Sequence, residues 1–332
     1  MDFAELAALA SGHAEARAIQ TALKLGIFEV LDSAPLDDAA LAEAVSANRR
    51  ATALIANAMA SLGLLEKRAN RYALTEPSRR YLLRSSADYF GGLILFDEAI
   101  FQTWTDLEQT IRSGAPARAT DMFQNRREET ERFIRAMDSL TRARGDPVYV
   151  ADRLDLSRVA RLGDIGGGPG TYSVALLRRW PHLRAAVYDL PATLEVARRI
   201  LREREPEALE RIELVRFDYL YDEIPARCGA LFMSNIIHNE DETDNAQILR
   251  KCFRALEPGG MLIIKDHIMN ADLTEPRAGA IFALYLLLTT RGRDYSFDEV
   301  SRWLREAGFV DVRHEALPSP PFTSSMVIAR KP

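Results

Sequence analysis

Cysteine is scarce in this chain, with two among 332 residues, and neither Cys228 nor Cys252 has a metal-ligand spacing around it. A disulfide framework is thereby excluded as the source of stability, and a reducing compartment, the cytoplasm, is expected. Histidine is nearly as rare, at five. Positive charge is not in excess either: 43 Lys and Arg against 48 Asp and Glu leave a net charge of −5. Such a balance offers no broad attraction to nucleic-acid phosphates or anionic lipid. No apolar run approaches the roughly 20 residues needed to span a bilayer. The most apolar stretch, 280–288, reads as a buried helix. The start, Met1-Asp2-Phe3-Ala4-Glu5, lacks the basic end and apolar run of a signal peptide. What remains is an ordinary globular composition at a length that suits two domains.

The first half is helical in pattern. Ile19, Leu23, Ile27 and Leu31 recur every four residues and make one apolar face. Asp37-Asp38 opens a short helix, and a second over 48–62 is expected to bury Leu54, Ile55, Ala58, Met59 and Leu62, stopping at Gly63. Two β-prone runs, 64–66 and 71–74, follow; helix, helix and a two-stranded wing is the winged-helix pattern. Residues 81–150 carry many large side chains, among them Phe96, Phe101, Trp104, Met122, Phe123, Phe133 and Met137, most simply explained by packing. From Val159 short apolar runs alternate with helical segments, which implies a parallel sheet covered on both faces. The domains are accordingly drawn as 1–150 and 151–332. Runs at 310–314 and 325–330 are expected to pair as strands around Pro318, Pro320 and Pro321.

The chemistry begins at Asp164-Ile165-Gly166-Gly167-Gly168-Pro169-Gly170, between a strand and a helix. Glycines there let backbone approach a ligand closely. The lysine and hydroxyl that end a P-loop are missing, since Thr171-Tyr172 follows, so a nucleoside triphosphate is excluded. A dinucleotide and S-adenosylmethionine (SAM) remain, and three acids favour SAM. Asp164 precedes the loop, where it would repel a pyrophosphate but attract a sulfonium or amine. Asp189 ends the next strand, suited to a ribose diol, and Asp218 follows the third, suited to an adenine amino group. Acids at three successive strand ends lie where such sheets bind ligands.

Further motifs follow in order: Asp189-Leu190-Pro191, Phe217-Asp218-Tyr219, Ser234-Asn235-Ile236-Ile237-His238, Leu256-Glu257-Pro258-Gly259-Gly260 and Arg305-Glu306-Ala307-Gly308-Phe309. With the glycine loop they make the chain resemble the O-methyltransferase family of plant caffeate enzymes, acetylserotonin methyltransferase and bacterial antibiotic-tailoring enzymes. The resemblance implies an α/β Rossmann-like domain with a mostly parallel seven-stranded sheet, preceded by a helical winged-helix dimerisation domain that also closes the substrate pocket. It implies SAM as donor and S-adenosylhomocysteine (SAH) as product, no metal, and a homodimer acting on a small molecule rather than nucleic acid or membrane. His238 matches the general base; Asp266 and Asp294 match two acids that orient it, usually glutamates in the family. Cofactor contacts carry over to Asp164, Gly166, Gly168, Asp189, Leu190, Asp218, Tyr219 and Ser234, the last standing where plant enzymes have lysine. Met137, with Phe133, matches the substrate-flanking position. Transfer to sulfur or nitrogen, non-methylating SAM chemistry, and a DNA-binding regulator using Arg49 and Arg50 stay open as alternatives.

Overall fold

The computed structural model describes residues 1–118, 120, 123–317 and 324–332. Met122, Pro318, Pro320 and Pro321 lie outside the described residues. The chain forms two compact units, Met1–Phe101 and Gln102–Pro332. The boundary thus precedes the expected position at residue 150. The reason is packing: the helix Arg127–Arg144 buries Ile134 against Val196 and Ile200 of the helix Pro191–Arg204. It therefore belongs to the sheet-bearing unit.

In the first unit the helix Phe3–Lys24 opens with a reciprocal capping box between Asp2 and Glu5. Gly26, at φ +74°, ends that run and the helix Ile27–Val30 follows. Leu23, Ile27 and Leu31 are buried, as their spacing requires. The helices Asp38–Ala44 and Arg49–Ser61 are capped by the side chains of Asp37 and Asn48. The latter helix buries Thr52, Ala56 and Met59, while Leu54, expected inside, is 61% exposed. Met59 fixes that rotation by packing in one cluster with Ala22 and Phe28. The expected hairpin forms from Leu65–Arg68 and Arg71–Leu74, and a short third strand, Leu36–Asp37, pairs with the second. Phe3 and Leu6 remain exposed at the start of the chain.

The second unit is built on seven strands: β1 (Arg161–Ile165), β2 (Arg184–Asp189), β3 (Ile212–Arg216), β4 (Cys228–Ser234), β5 (Leu256–Asp266), β6 (Val310–Ala316) and β7 (Ser325–Arg330). Their order is β6-β7-β5-β4-β1-β2-β3. The first five run parallel, and β7 joins β5 antiparallel, with β6 at the edge. Central strands read as unbroken apolar runs because both faces are covered: Leu162, Ala185 and Phe232 pack into one core, Ala186, Leu231 and Ile264 into the other. Strand order reverses between β1 and β4. There the loops after neighbouring parallel strands diverge and leave a crevice. No helix among the described residues is long and apolar enough to cross a membrane.

Candidate functional site

A cavity of about 380 Å³ opens at that crevice. Its floor is the glycine loop after β1. Gly166 has φ +62°, and a Cβ there would come within 2.2 Å of the Ile236 side chain. At Gly167 a Cβ would come within 2.7 Å of the Asp164 carboxylate. Two bonds hold the loop: the Gly166 amide donates to the Tyr188 carbonyl (2.8 Å), and the Gly168 amide to Asp189 Oδ2 (2.8 Å).

The three strand-end acids all line this cavity. Asp164 is 1% exposed; its Oδ2 accepts from Ser173 Oγ at 2.6 Å, and no cation pairs with it among the described residues. Burial pushes its carboxyl up to about 7. Asp189 is pushed up to about 6 by desolvation, against the amides of Gly168 and Leu190, which donate to its carboxylate. Asp218 accepts the Leu220 amide at 3.0 Å. Lys251 fixes this last loop by donating to the carbonyls of Tyr219 (3.0 Å) and Leu220 (2.7 Å), and Tyr219 donates its hydroxyl to Glu240 Oε1 (2.9 Å). Leu190, Tyr219 and Ser234 also line the cavity, as do Phe133 and Met137. The helix carrying those two is pinned to the loop, since Thr171 donates to Asp138 Oδ1 at 2.8 Å. Sequence reasoning assigned no role to Tyr172, Asn239 and Glu240, which share the lining.

The arrangement fits SAM on its own chemistry. A buried, unpaired carboxylate faces a cradle that a Cβ would fill, which suits a ligand with an ammonium and a sulfonium.

His238, Asp266 and Asp294 come together from three places: a turn after β4 (Ile237–Asn239), the end of β5, and the loop before the helix Phe297–Glu306. All three are buried, with potential ligand atoms within 4.8 Å of one another. His238 Nδ1 lies 2.6 Å from Asp266 Oδ1, and the Phe282 ring stands edge-on to the imidazole at 5.2 Å between centroids. Burial pulls the imidazole down, but the Asp266 charge and hydrogen bond outweigh it and leave the group above its ordinary 6.5. Asp266 is held below the usual carboxylate range; burial opposes this, and His238 together with the His267 amide prevails. Asp294 is pushed up to about 8 by burial, and neither carboxylate oxygen has a hydrogen-bond partner among the described residues. His238 is not among the cavity-lining residues, but the next residue, Asn239, is.

The arginines near Met137 are committed elsewhere. Arg135 pairs with Glu131 and Glu203, Arg142 with Asp138 and Glu205, and Arg144 with Asp146. Asp146 also lies 3.4 Å from the Lys265 ammonium, and both side chains are fully buried.

Acids at successive strand ends around a glycine cradle, with a histidine–aspartate pair one residue beyond the wall, define a methyltransferase fold and site. Comparison with known proteins narrows the class. Residues 104–310 match the family model of the O-methyltransferase domain, and residues 7–84 that of the O-methyltransferase dimerisation domain. The chain is similar to the 3-hydroxy-5-methyl-1-naphthoate 3-O-methyltransferase of Streptomyces sahachiroi, at 31% identity over 94% of this chain and 91% of that one. It is also similar to the tetracenomycin polyketide synthesis 8-O-methyltransferase of Streptomyces glaucescens, at 30% over 95% and 93%. The fold matches human N-acetylserotonin methyltransferase in complex with SAM at a TM-score of 0.88, with 23% identity over 100% of this chain and 98% of that one. The chain belongs to the O-methyltransferase family and is a SAM-dependent O-methyltransferase.

Proposed function

We propose that the protein transfers a methyl group to a hydroxyl on a planar aromatic small molecule, with His238 as general base. The supporting observation is the 2.6 Å contact between His238 Nδ1 and Asp266 Oδ1 beside the cavity. With Nδ1 engaged, Nε2 is left to take the acceptor's proton. A phenol with a pKa near 10 is a weak nucleophile at neutral pH, and a positioned imidazole makes it competent, an effect worth roughly 10²–10⁴-fold. Asp266 fixes the ring and favours the imidazolium that forms. Bound SAM supplies an activated methyl on a sulfonium. Asp164, Gly166, Gly168, Asp189, Leu190, Asp218, Tyr219 and Ser234 hold that donor in line, and Phe133 and Met137 flank the transfer path. A planar acceptor accords with the naphthoate that the Streptomyces sahachiroi relative methylates.

The remaining features of this reading follow from the chemistry. No metal is needed, because the methyl is already activated and Nδ1 and Oδ1 engage each other. The first unit, helix-helix-hairpin in build, is a winged-helix module that pairs two copies, using the exposed Phe3 and Leu6; it does not bind DNA. The enzyme is cytoplasmic and works apart from membranes. Incubation with SAM and 2-naphthol, followed by detection of the methyl ether, tests the central claim. SAH binding without ether formation from any phenol would overturn it.

A further inference from the structure

Glu240 follows the proposed base by two residues, lines the cavity and has no part in the reaction as drawn above. It is only 6% exposed, and each oxygen of its carboxylate has a donor. Oε1 accepts the Tyr219 hydroxyl at 2.9 Å, and Oε2 accepts Arg291 Nη2 at 3.1 Å. Arg291 is anchored in turn by Asp244 Oδ2 at 2.6 Å. The backbone is pinned as well, since Tyr295 donates its hydroxyl (2.6 Å) and Asn245 its Nδ2 (3.0 Å) to the Glu240 carbonyl. Three donors other than Tyr219 thus fix where the carboxylate stands.

Tyr219 is the end of this chain of bonds that borders the donor. It lines the cavity, and its Cε1 lies 4.0 Å from where a Cβ on Gly166 would stand, so the ring edge reaches the glycine cradle. Its main chain is already held, because Lys251 Nζ donates to the Tyr219 carbonyl at 3.0 Å. That bond leaves the side-chain torsions free, and the Glu240 contact removes this freedom. A hydrogen bond to a charged oxygen is stronger than a neutral one, and a ligand binds an ordered ring more tightly than one it must first order.

We infer that Glu240 is a positioning residue for the methyl donor: anchored by Arg291, it holds the Tyr219 ring at the glycine cradle in the orientation that SAM meets. This rests on the reading above that Tyr219 contacts SAM. Without the carboxylate the ring keeps its area but not its fixed plane, and SAM must order it on binding. Loss of the Tyr219 hydroxyl has the same effect from the other side of the bond.

The test measures SAH affinity by calorimetry in the wild type, Tyr219→Phe, Glu240→Ala, Glu240→Gln and the double variant Tyr219→Phe/Glu240→Ala. Tyr219→Phe and Glu240→Ala should each weaken SAH by roughly tenfold. The double variant should be no more than about twofold weaker than either, because both changes cut one bond. Glu240→Gln keeps an acceptor oxygen for the Tyr219 hydroxyl and should stay within about threefold of the wild type, a rescue that a general loosening of the fold would not show. Unchanged affinity in Tyr219→Phe, equal losses in Glu240→Gln and Glu240→Ala, or losses that multiply in the double variant, overturn the inference. Should Glu240→Ala fail to fold, a loss in Tyr219→Phe with near-wild-type Glu240→Gln supports it, and no loss in Tyr219→Phe overturns it. A wild type that binds SAH but methylates no phenol overturns O-methylation and leaves this inference to the affinities. One that binds no SAH removes the donor reading and this inference with it.

Discussion

Asp266 Oδ1 receives two donors at once, His238 Nδ1 at 2.6 Å and the His267 amide at 2.8 Å, while Oδ2 of the same carboxylate has none among the described residues. One oxygen thus sets the rotamer of the acid and, through it, the orientation of the imidazole. That bond is the most exposed point of the proposed mechanism.

His238→Ala should lower single-turnover methyl transfer to 2-naphthol by at least roughly tenfold. SAH affinity by calorimetry should stay unchanged, because His238 does not line the cavity. Unaltered transfer would leave the residue with no proton to move.

The pH profile carries a sign. His238 must be neutral to act, and it is raised above 6.5 chiefly by Asp266 once burial is overcome. Rate should therefore climb with pH along an acid limb lying above 6.5. In Asp266→Asn the raising charge is gone, and the limb should move to lower pH as kcat drops. A limb that stays put would separate the carboxylate from the base.

Gly167→Ala puts a methyl group within 2.7 Å of the Asp164 carboxylate, to which Ser173 Oγ donates at 2.6 Å. A cost of about 1–3 kcal/mol in folding is expected, with weaker SAH binding. Urea midpoints and calorimetry read the two effects. If both are unchanged, Asp164 swings aside freely and is no anchor.

Lys265 is pushed down to about 7 by burial, with Arg144 adding to it, against 10.5 for an unperturbed lysine. The folded chain therefore binds fewer protons there than the unfolded one. The stability linked to this group is full above about 10.5 and lost as pH falls through about 7. Lys265→Met removes that loss, so the variant should gain on the wild type as pH drops from 10 to 8, measured as the difference in urea midpoints. Asp146→Ala should do the opposite, costing roughly 3–5 kcal/mol by leaving Arg144 and Lys265 without their anion. Equal slopes for wild type and Lys265→Met would mean that the ammonium is solvated.

Excess chelator should leave turnover unchanged, although His238, Asp266 and Asp294 bring ligand atoms within 4.8 Å of one another. Loss of activity on chelation, restored by a divalent cation, would replace the general-base mechanism with a metal-assisted one.

The sheet and its glycine loop were legible in the sequence because their signals are local: a strand's period, a Gly run, an acid at a strand end. Asp164, Asp189 and Asp218 converge on one cavity for that reason. Burial and pairing were not legible. The misplacement of Leu54 came from a helix whose apolar residues occupy two faces, so that only Met59 and its partners could choose between them. The boundary moved to Phe101 because Ile134 meets Val196 and Ile200, a contact across more than sixty positions that no periodicity encodes.

The residues proposed to grip the donor fall between Asp164 and Ser234, whereas those proposed to serve the acceptor lie on either side, Phe133 and Met137 before that stretch and His238, Asp266 and Asp294 after it. Donor and acceptor are thus written in different lengths of chain. A lineage could redraft the flanking positions and change what is methylated while inheriting the stretch between them unaltered. For a library meant to broaden acceptor range, the positions around Phe133 and Met137 are the place to randomise, and the glycine cradle the place to leave alone.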